Sequence, residues 1–122
     1  MEKEFVTYEQ ALALSKLNYN GNYNYVFDIY KSLWNGSVRA DGKEFIAAPL
    51  KQQVFRWFRE KYGWYLDLGH SERVDFYYAI LKNSEPFEWR NDYSTYEEAE
   101  NACIDKLIEI AKQQDNENQT NN

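Results

Sequence analysis

"APLKQQVFRWFREKYG", residues 48–63, carries the clearest secondary-structure signal in the chain. Pro49 suits a first helical position, where its missing N–H costs nothing, and Gly63 suits the left-handed residue that ends a helix. Between them Leu50, Val54, Trp57, Phe58 and Tyr62 recur at helical spacing on one side, with Phe55 at its edge. Gln52, Gln53, Arg56, Arg59 and Glu60 lie opposite. The segment therefore reads as an amphipathic helix whose ring-rich side must be covered by the flanking sequence.

Those flanks switch from a period of 3.6 to a period of 2. Downstream, "WYLDL" (64–68) and "RVDFYYAILK" (73–82) read as strands around a turn at "GHSE" (69–72), with Val74, Phe76, Tyr78 and Ile80 alternating against Arg73, Asp75 and Tyr77. "NSEP" (83–86) makes another turn, and "FEWR" (87–90) a short last strand. Upstream, "NYNGNYNYVFDIY" (18–30) places Tyr23, Tyr25, Phe27 and Ile29 on one face of a half-buried strand, with Asn22, Asn24, Asp28 and Tyr30 mostly on the other. Asn35-Gly36 and Asp41-Gly42 are two-residue turn signals, which make "SVRA" (37–40) and "KEFIAA" (43–48) short strands of a meander.

"TYEQA" (7–11) returns as "TYEEA" (95–99). In each copy a Thr is followed three residues later by Gln10 or Glu98, the spacing of a capping box that satisfies open donors at a helix N-terminus. The likeness fades beyond the caps, so two helices begin here on the same local physics rather than by duplication. The first runs from about Tyr8 to Leu17. The last sets Tyr96, Ala99, Cys103, Leu107 and Ile110 on one face and Glu98, Asn101, Asp105 and Lys112 on the other.

The order is helix, three strands, helix, three strands, helix. Short turns between consecutive strands imply antiparallel pairing, because parallel neighbours need long crossovers. The expected fold is α+β in two layers: a mainly antiparallel sheet of five or six strands, with three helices on one face. Residues 1–112 form a single domain. The segment 113–122, "QQDNENQTNN", has no apolar residue to bury and is expected to be a disordered polar tail.

The chain of 122 residues is long enough to enclose a core without staples. Its one cysteine cannot form an internal disulfide, no apolar stretch follows "MEKEF", and no run is long enough to span a membrane, so a cytoplasmic location is expected. A net charge of −6 argues against nucleic acid and anionic lipid, which a local excess of Lys and Arg would have to meet.

Catalytic patterns are absent. His70, the only histidine, stands in a turn, and one His with one Cys cannot assemble a zinc site without carboxylates completing it. Cys103 belongs to an apolar helix face, as a small buried hydrophobe does. Asp28, Asp67, Asp75 and Glu88 fall on strands at no spacing that demands acid–base work, and no Gly-rich phosphate loop or nucleophile elbow is present. No catalytic residue, metal or cofactor is implied.

Two features could serve recognition. The middle helix and its flank carry Lys51, Arg56, Arg59 and Lys61 against Glu60, beside Trp57 and Tyr65. Arg56 and Arg59 point away from the apolar side and are the candidates for gripping an anionic ligand or acidic surface. Tyrosine is abundant, with eleven copies, and Tyr23, Tyr25, Tyr30, Tyr65, Tyr77 and Tyr78 all fall on expected strands. Tyrosine offers large contact area at low entropic cost, so those on the face away from the helices would form a recognition surface; cross-strand ring packing is the alternative. The candidate binding residues are Arg56, Arg59, Tyr30, Tyr65 and Tyr77.

"FVTYEQALALSKL" (5–17), "APLKQQVFRWFREKYG" (48–63) and "TYEEAENACIDKLIEI" (95–110) together resemble the hallmark blocks of small uncharacterised proteins of gut Bacteroidales bacteria, their prophages and mobile elements. The resemblance covers the three helical segments and carries no site residue across. It implies an accessory gene of a phage or mobile element. The expected function is a non-enzymatic protein-binding module engaging an unidentified protein partner; the alternatives are a nucleotide or other anionic-ligand domain, and a homo-oligomer such as a homodimer.

Overall fold

The computed structural model describes residues 4–35, 38–72 and 75–120. Its elements run α1 (Tyr8–Lys16), β1 (Tyr25–Phe27), β2 (Leu33–Asn35), β3 (Ile46–Ala47), α2 (Lys51–Tyr62), β4 (Trp64–His70), β5 (Phe76–Lys82), β6 (Glu85–Tyr93) and α3 (Tyr96–Thr120). This is the expected α-βββ-α-βββ-α order of an α+β protein, and every strand pairing is antiparallel. The six strands divide into two sheets of three, ordered β2-β1-β3 and β4-β5-β6.

Local chemistry places the helix ends. At α1 the capping box is complete: Gln10 N–H donates to Thr7 Oγ1 at 3.0 Å, and Thr7 N–H donates to Gln10 Oε1 at 2.9 Å. At α3 Glu98 N–H donates to Thr95 Oγ1 at 3.1 Å, but the Glu98 carboxylate accepts from Ser94 N–H rather than from Thr95. The α2 helix begins two residues later than Pro49 suggests, at Lys51, with Leu50 at the cap and its N–H donating to Gln53 Oε1 at 2.9 Å. Gly63 ends it with φ +75°, in the left-handed region.

The α3 helix touches all three strands of the second sheet, and α2 packs beside β4. Residues that alternate along those strands separate: Trp64, Tyr78 and Ile80 are buried under the helices, whereas Tyr65, Asp67 and Trp89 are exposed. Phe27 and Ile46 of the first sheet join the same core, with Leu14, Phe58, Cys103, Ile104 and Leu107 of the helices. Much of the aromatic content is spent here. Tyr19, Trp57, Phe58, Tyr62 and Trp64 form a run of ring contacts, the closest being Tyr62 on Trp64 at 4.4 Å.

Several expectations need correction. β1 is only three residues long and buries two successive side chains, Val26 and Phe27, so the alternation expected from Tyr23 to Ile29 fails. Ile29 and Tyr30 lie in a turn instead of a strand. Residues 38–40 are not a strand, β3 is confined to Ile46–Ala47, and the expected placements of Gly36, Ser37, Arg73 and Val74 lie outside the described residues. β6 is nine residues long rather than four, and β4 extends to His70, which is thus a strand end rather than a turn residue. The segment 113–120, expected to be disordered, continues α3. Gln113, Gln114, Asn116 and Glu117 are exposed, yet each residue extends an existing helix at the small cost of propagation rather than nucleation.

Candidate functional site

Two parts of the surface gather large exposed side chains. The first is the β1–β2 hairpin tip. Lys31 N–H donates to the Asp28 carbonyl at 3.0 Å, Asp28 N–H donates to the Ser32 carbonyl at 3.0 Å, and Lys31 takes φ +67°. This is a three-residue loop, a turn followed by one left-handed residue, in which the left-handed position usually carries Gly. Here Lys31 fills it, at a conformational cost of about 1 kcal/mol.

The Asp28 side chain holds the loop in that shape. Its Oδ1 accepts from Tyr30 N–H at 2.8 Å and Ser32 N–H at 2.9 Å, and its Oδ2 accepts from the Trp34 indole N–H at 2.8 Å. Donation from the Trp34 indole, then from the Ser32 amide, holds the Asp28 carboxyl below the ordinary carboxylate range. Lys31 reaches back to α1, 3.2 Å from Glu9 Oε1 and 5.4 Å from the centre of the Tyr8 ring. The tip so fixed presents Tyr30 at 81% exposure, Ile29 at 61% and Trp34 at 51%.

The second part is the outer face of the β4-β5-β6 sheet. The pairings Tyr65↔Leu81↔Pro86, Asp67↔Ala79↔Trp89 and Gly69↔Tyr77 set these residues on one side. Tyr65 is 56% and Trp89 63% exposed. Tyr77 lies down on the sheet: a Cβ added to Gly69 would meet the ring hydroxyl at 2.7 Å, so only glycine admits this contact. Its O–H donates to Asp67 Oδ2 at 3.3 Å, and the Asp67 charge raises the Tyr77 pKa.

Of the five candidate residues, the structure joins two. The Arg59 guanidinium stands 6.0 Å from the centre of the Tyr65 ring, in a groove of about 350 Å³ between α2 and β4 that Gln52, Asp67 and Tyr96 also line. Arg56 faces elsewhere and is engaged by Glu60 at 2.9 Å, one helical turn on. Tyr77 shares the outer face with Tyr65 but serves mainly to cover Gly69. Tyr30 sits apart, at the hairpin tip. The remaining strand tyrosines are not a free surface: Tyr78 is buried, with its pKa pushed up to about 12 chiefly by that burial, and Tyr25 packs edge-on to Phe5 at 5.0 Å.

Lys51 is not available for docking either. Its Nζ lies 3.3 Å from Glu100 Oε1 with both side chains buried, which ties the start of α2 to α3. Ile29, Trp34 and Trp89 were missing from the sequence-based site. The signal at the tip was Asp28 with donors following at two, four and six residues, obscured because no Gly or Asn marks the turn.

Cys103 is fully buried, and desolvation raises its thiol pKa well above the ordinary range. Among the described residues, no group of three or more His, Cys, Asp or Glu side chains is placed to hold a metal ion, and no helix is long and apolar enough to cross a membrane. Comparison of the chain with protein-family models, with curated proteins and with solved structures finds no match.

Proposed function

We propose that the protein is a non-enzymatic protein-binding module that engages its partner through the β1–β2 hairpin tip. The observation that carries this reading is the loop from Asp28 to Trp34, where three large apolar side chains stand in water on a backbone fixed by one carboxylate. Trp34 spends its indole N–H on Asp28, but the exposure of Ile29 and Tyr30 forgoes the gain of burying them. A partner gains from it, because aromatic anchors held in place before binding lose little freedom on contact. The net charge of −6 suits a basic partner surface. The resemblance of the three helical segments supports an accessory role in a phage or mobile element, with a host protein as the partner.

A photo-crosslinking residue placed at Tyr30, and at Lys112 as an exposed control, tests this in a Bacteroidales host lysate. One specific adduct is expected from position 30 and none from 112. Purified binding to the captured protein should weaken by about 100-fold in the Tyr30→Ala/Trp34→Ala variant, as for two anchors. Equal binding by that variant would refute the tip as the contact.

The Arg59–Tyr65 groove supports a second reading, an anionic-ligand site in which the guanidinium meets a phosphate and the ring stacks on a base. Asp67 in the same groove opposes an anion. A thermal-shift series with nucleotides separates the two readings: stabilisation lost in Arg59→Ala would favour the groove.

A further inference from the structure

We propose that two copies of the chain join through the free edge of β6, making a continuous six-stranded sheet about a twofold axis at Trp89. β6 pairs with β5 on one side, and among the described residues no strand pairs with its other edge. An edge of nine residues is a ready template for another strand unless something blunts it.

Here the blunting is local. Regular pairing runs through Glu88, Trp89 and Arg90, opposite Ile80, Ala79 and Tyr78, and the register shifts on both sides of that stretch. Phe87 is the extra residue on one side, and Asn91–Asp92 hold the extra residue on the other, where Asp92 has φ +76°. The irregularities therefore sit nearly symmetrically about Trp89.

A twofold axis normal to a sheet keeps each side chain on its own face, so the axis must fall where a residue meets its own copy. The regular stretch allows three such centres. With Glu88 at the centre, two carboxylates meet and Pro86 enters the ladder opposite Arg90. With Arg90 at the centre, two guanidinium groups meet and Glu88 faces Asp92. With Trp89 at the centre, Glu88 faces Arg90 of the second copy in both directions, Phe87 faces Asn91, and bulge lies against bulge.

Only this last register is complementary, and the charges it needs are free. Neither Glu88 nor Arg90 forms an ion pair with any of the described residues. On the outer face the same register brings the two Trp89 rings side by side, joining the exposed faces that carry Tyr65 and Tyr77.

Analytical ultracentrifugation of the full chain over a concentration series tests the assignment. A monomer–dimer equilibrium is expected. Glu88→Arg or Arg90→Glu alone sets like charges opposite each other twice, and should weaken the dimer about tenfold or more. The double variant E88R/R90E restores opposite charges and should recover the wild-type equilibrium, which a merely unfolded variant would not do. Tyr30→Ala should leave the dimer unchanged, which keeps this interface distinct from the hairpin contact. A monomer at every concentration, a dimer indifferent to both reversals, or no recovery in the double variant would overturn it.

Discussion

The two sheets of this protein have equal numbers of strands and are held by different forces. The second, β4-β5-β6, has strands of seven, seven and nine residues, and its ladder of backbone hydrogen bonds largely defines it. The first, β2-β1-β3, has strands of three, three and two residues, too short for a ladder to hold alone. It persists because Val26, Phe27 and Ile46 are buried and because the Asp28 and Asp41 side chains bind the loop backbones: Asp41 Oδ1 accepts from Lys43 N–H at 2.9 Å and Phe45 N–H at 3.0 Å. A region built this way can spend the side chains of Ile29 and Tyr30 on contact, since its fold rests on the Asp28 and Asp41 carboxylates and the buried residues instead.

The comparison breaks most severely at the junction. The α2 helix carries the chain from the first sheet to the second, and the buried Lys51–Glu100 pair fixes its start to α3. Lys51→Met strands the Glu100 carboxylate and is expected to cost about 3–5 kcal/mol in urea denaturation, whereas K51M/E100M should return close to wild type. Unfolding should stay a single transition in both variants, because Phe27 and Ile46 share one core with Tyr78 and Ile80.

A smaller effect is confined to the second sheet. Asn83 and Ser84 close the β5–β6 hairpin with φ +55° and +66°, the two-residue turn whose twist matches its strands. Ser84→Val forces a β-branched residue into that region and should destabilise by about 1–2 kcal/mol in the same measurement. The hairpin tip and its Tyr30 contact should be unaffected.

The smallest effect is confined to the first sheet and is read by pH. The Asp28 carboxyl titrates below its ordinary value in the folded loop, so its contribution is complete above the unfolded pKa and is lost as pH falls through the folded one. The Trp34 indole N–H resonance should therefore hold its bonded position at pH 5 and begin to shift below about pH 4. Amide resonances of the β4–β5 ladder should not move with it. A Trp34 signal that stayed constant to pH 2 would show that the carboxylate does not hold the tip.

Legibility in the sequence followed the same division. Strands β4 and β5 were readable because Trp64, Tyr78 and Ile80 alternate with exposed neighbours over long runs, and α2 because its buried Val54, Trp57 and Phe58 repeat at helical spacing. β6 outruns the four residues its pattern suggests because Glu85, Pro86, Asn91 and Asp92 look like loop residues, and a bulged edge strand tolerates all four. The first sheet departs from the expected strand where Lys31 takes a left-handed conformation that composition does not announce. Of the candidate site residues, Tyr65 and Arg59 are exposed beside each other and Tyr30 is exposed in a turn instead of on a strand, while the exposure of Trp34 and Trp89 is not legible because periodicity cannot say which large ring a loop or an edge leaves in water.

The chain alone determined the starts of the two Thr-capped helices, the order of elements and the antiparallel pairing, since each depends on residues within a few positions of one another: a Thr and its third neighbour, an apolar period, a short turn. Tertiary structure decided the division into two sheets, the burial of Lys51 against Glu100, and the placing of Arg59 beside Tyr65 while Arg56 turned to Glu60. These depend on distances closed by packing between segments far apart in the chain, where local preference has no leverage.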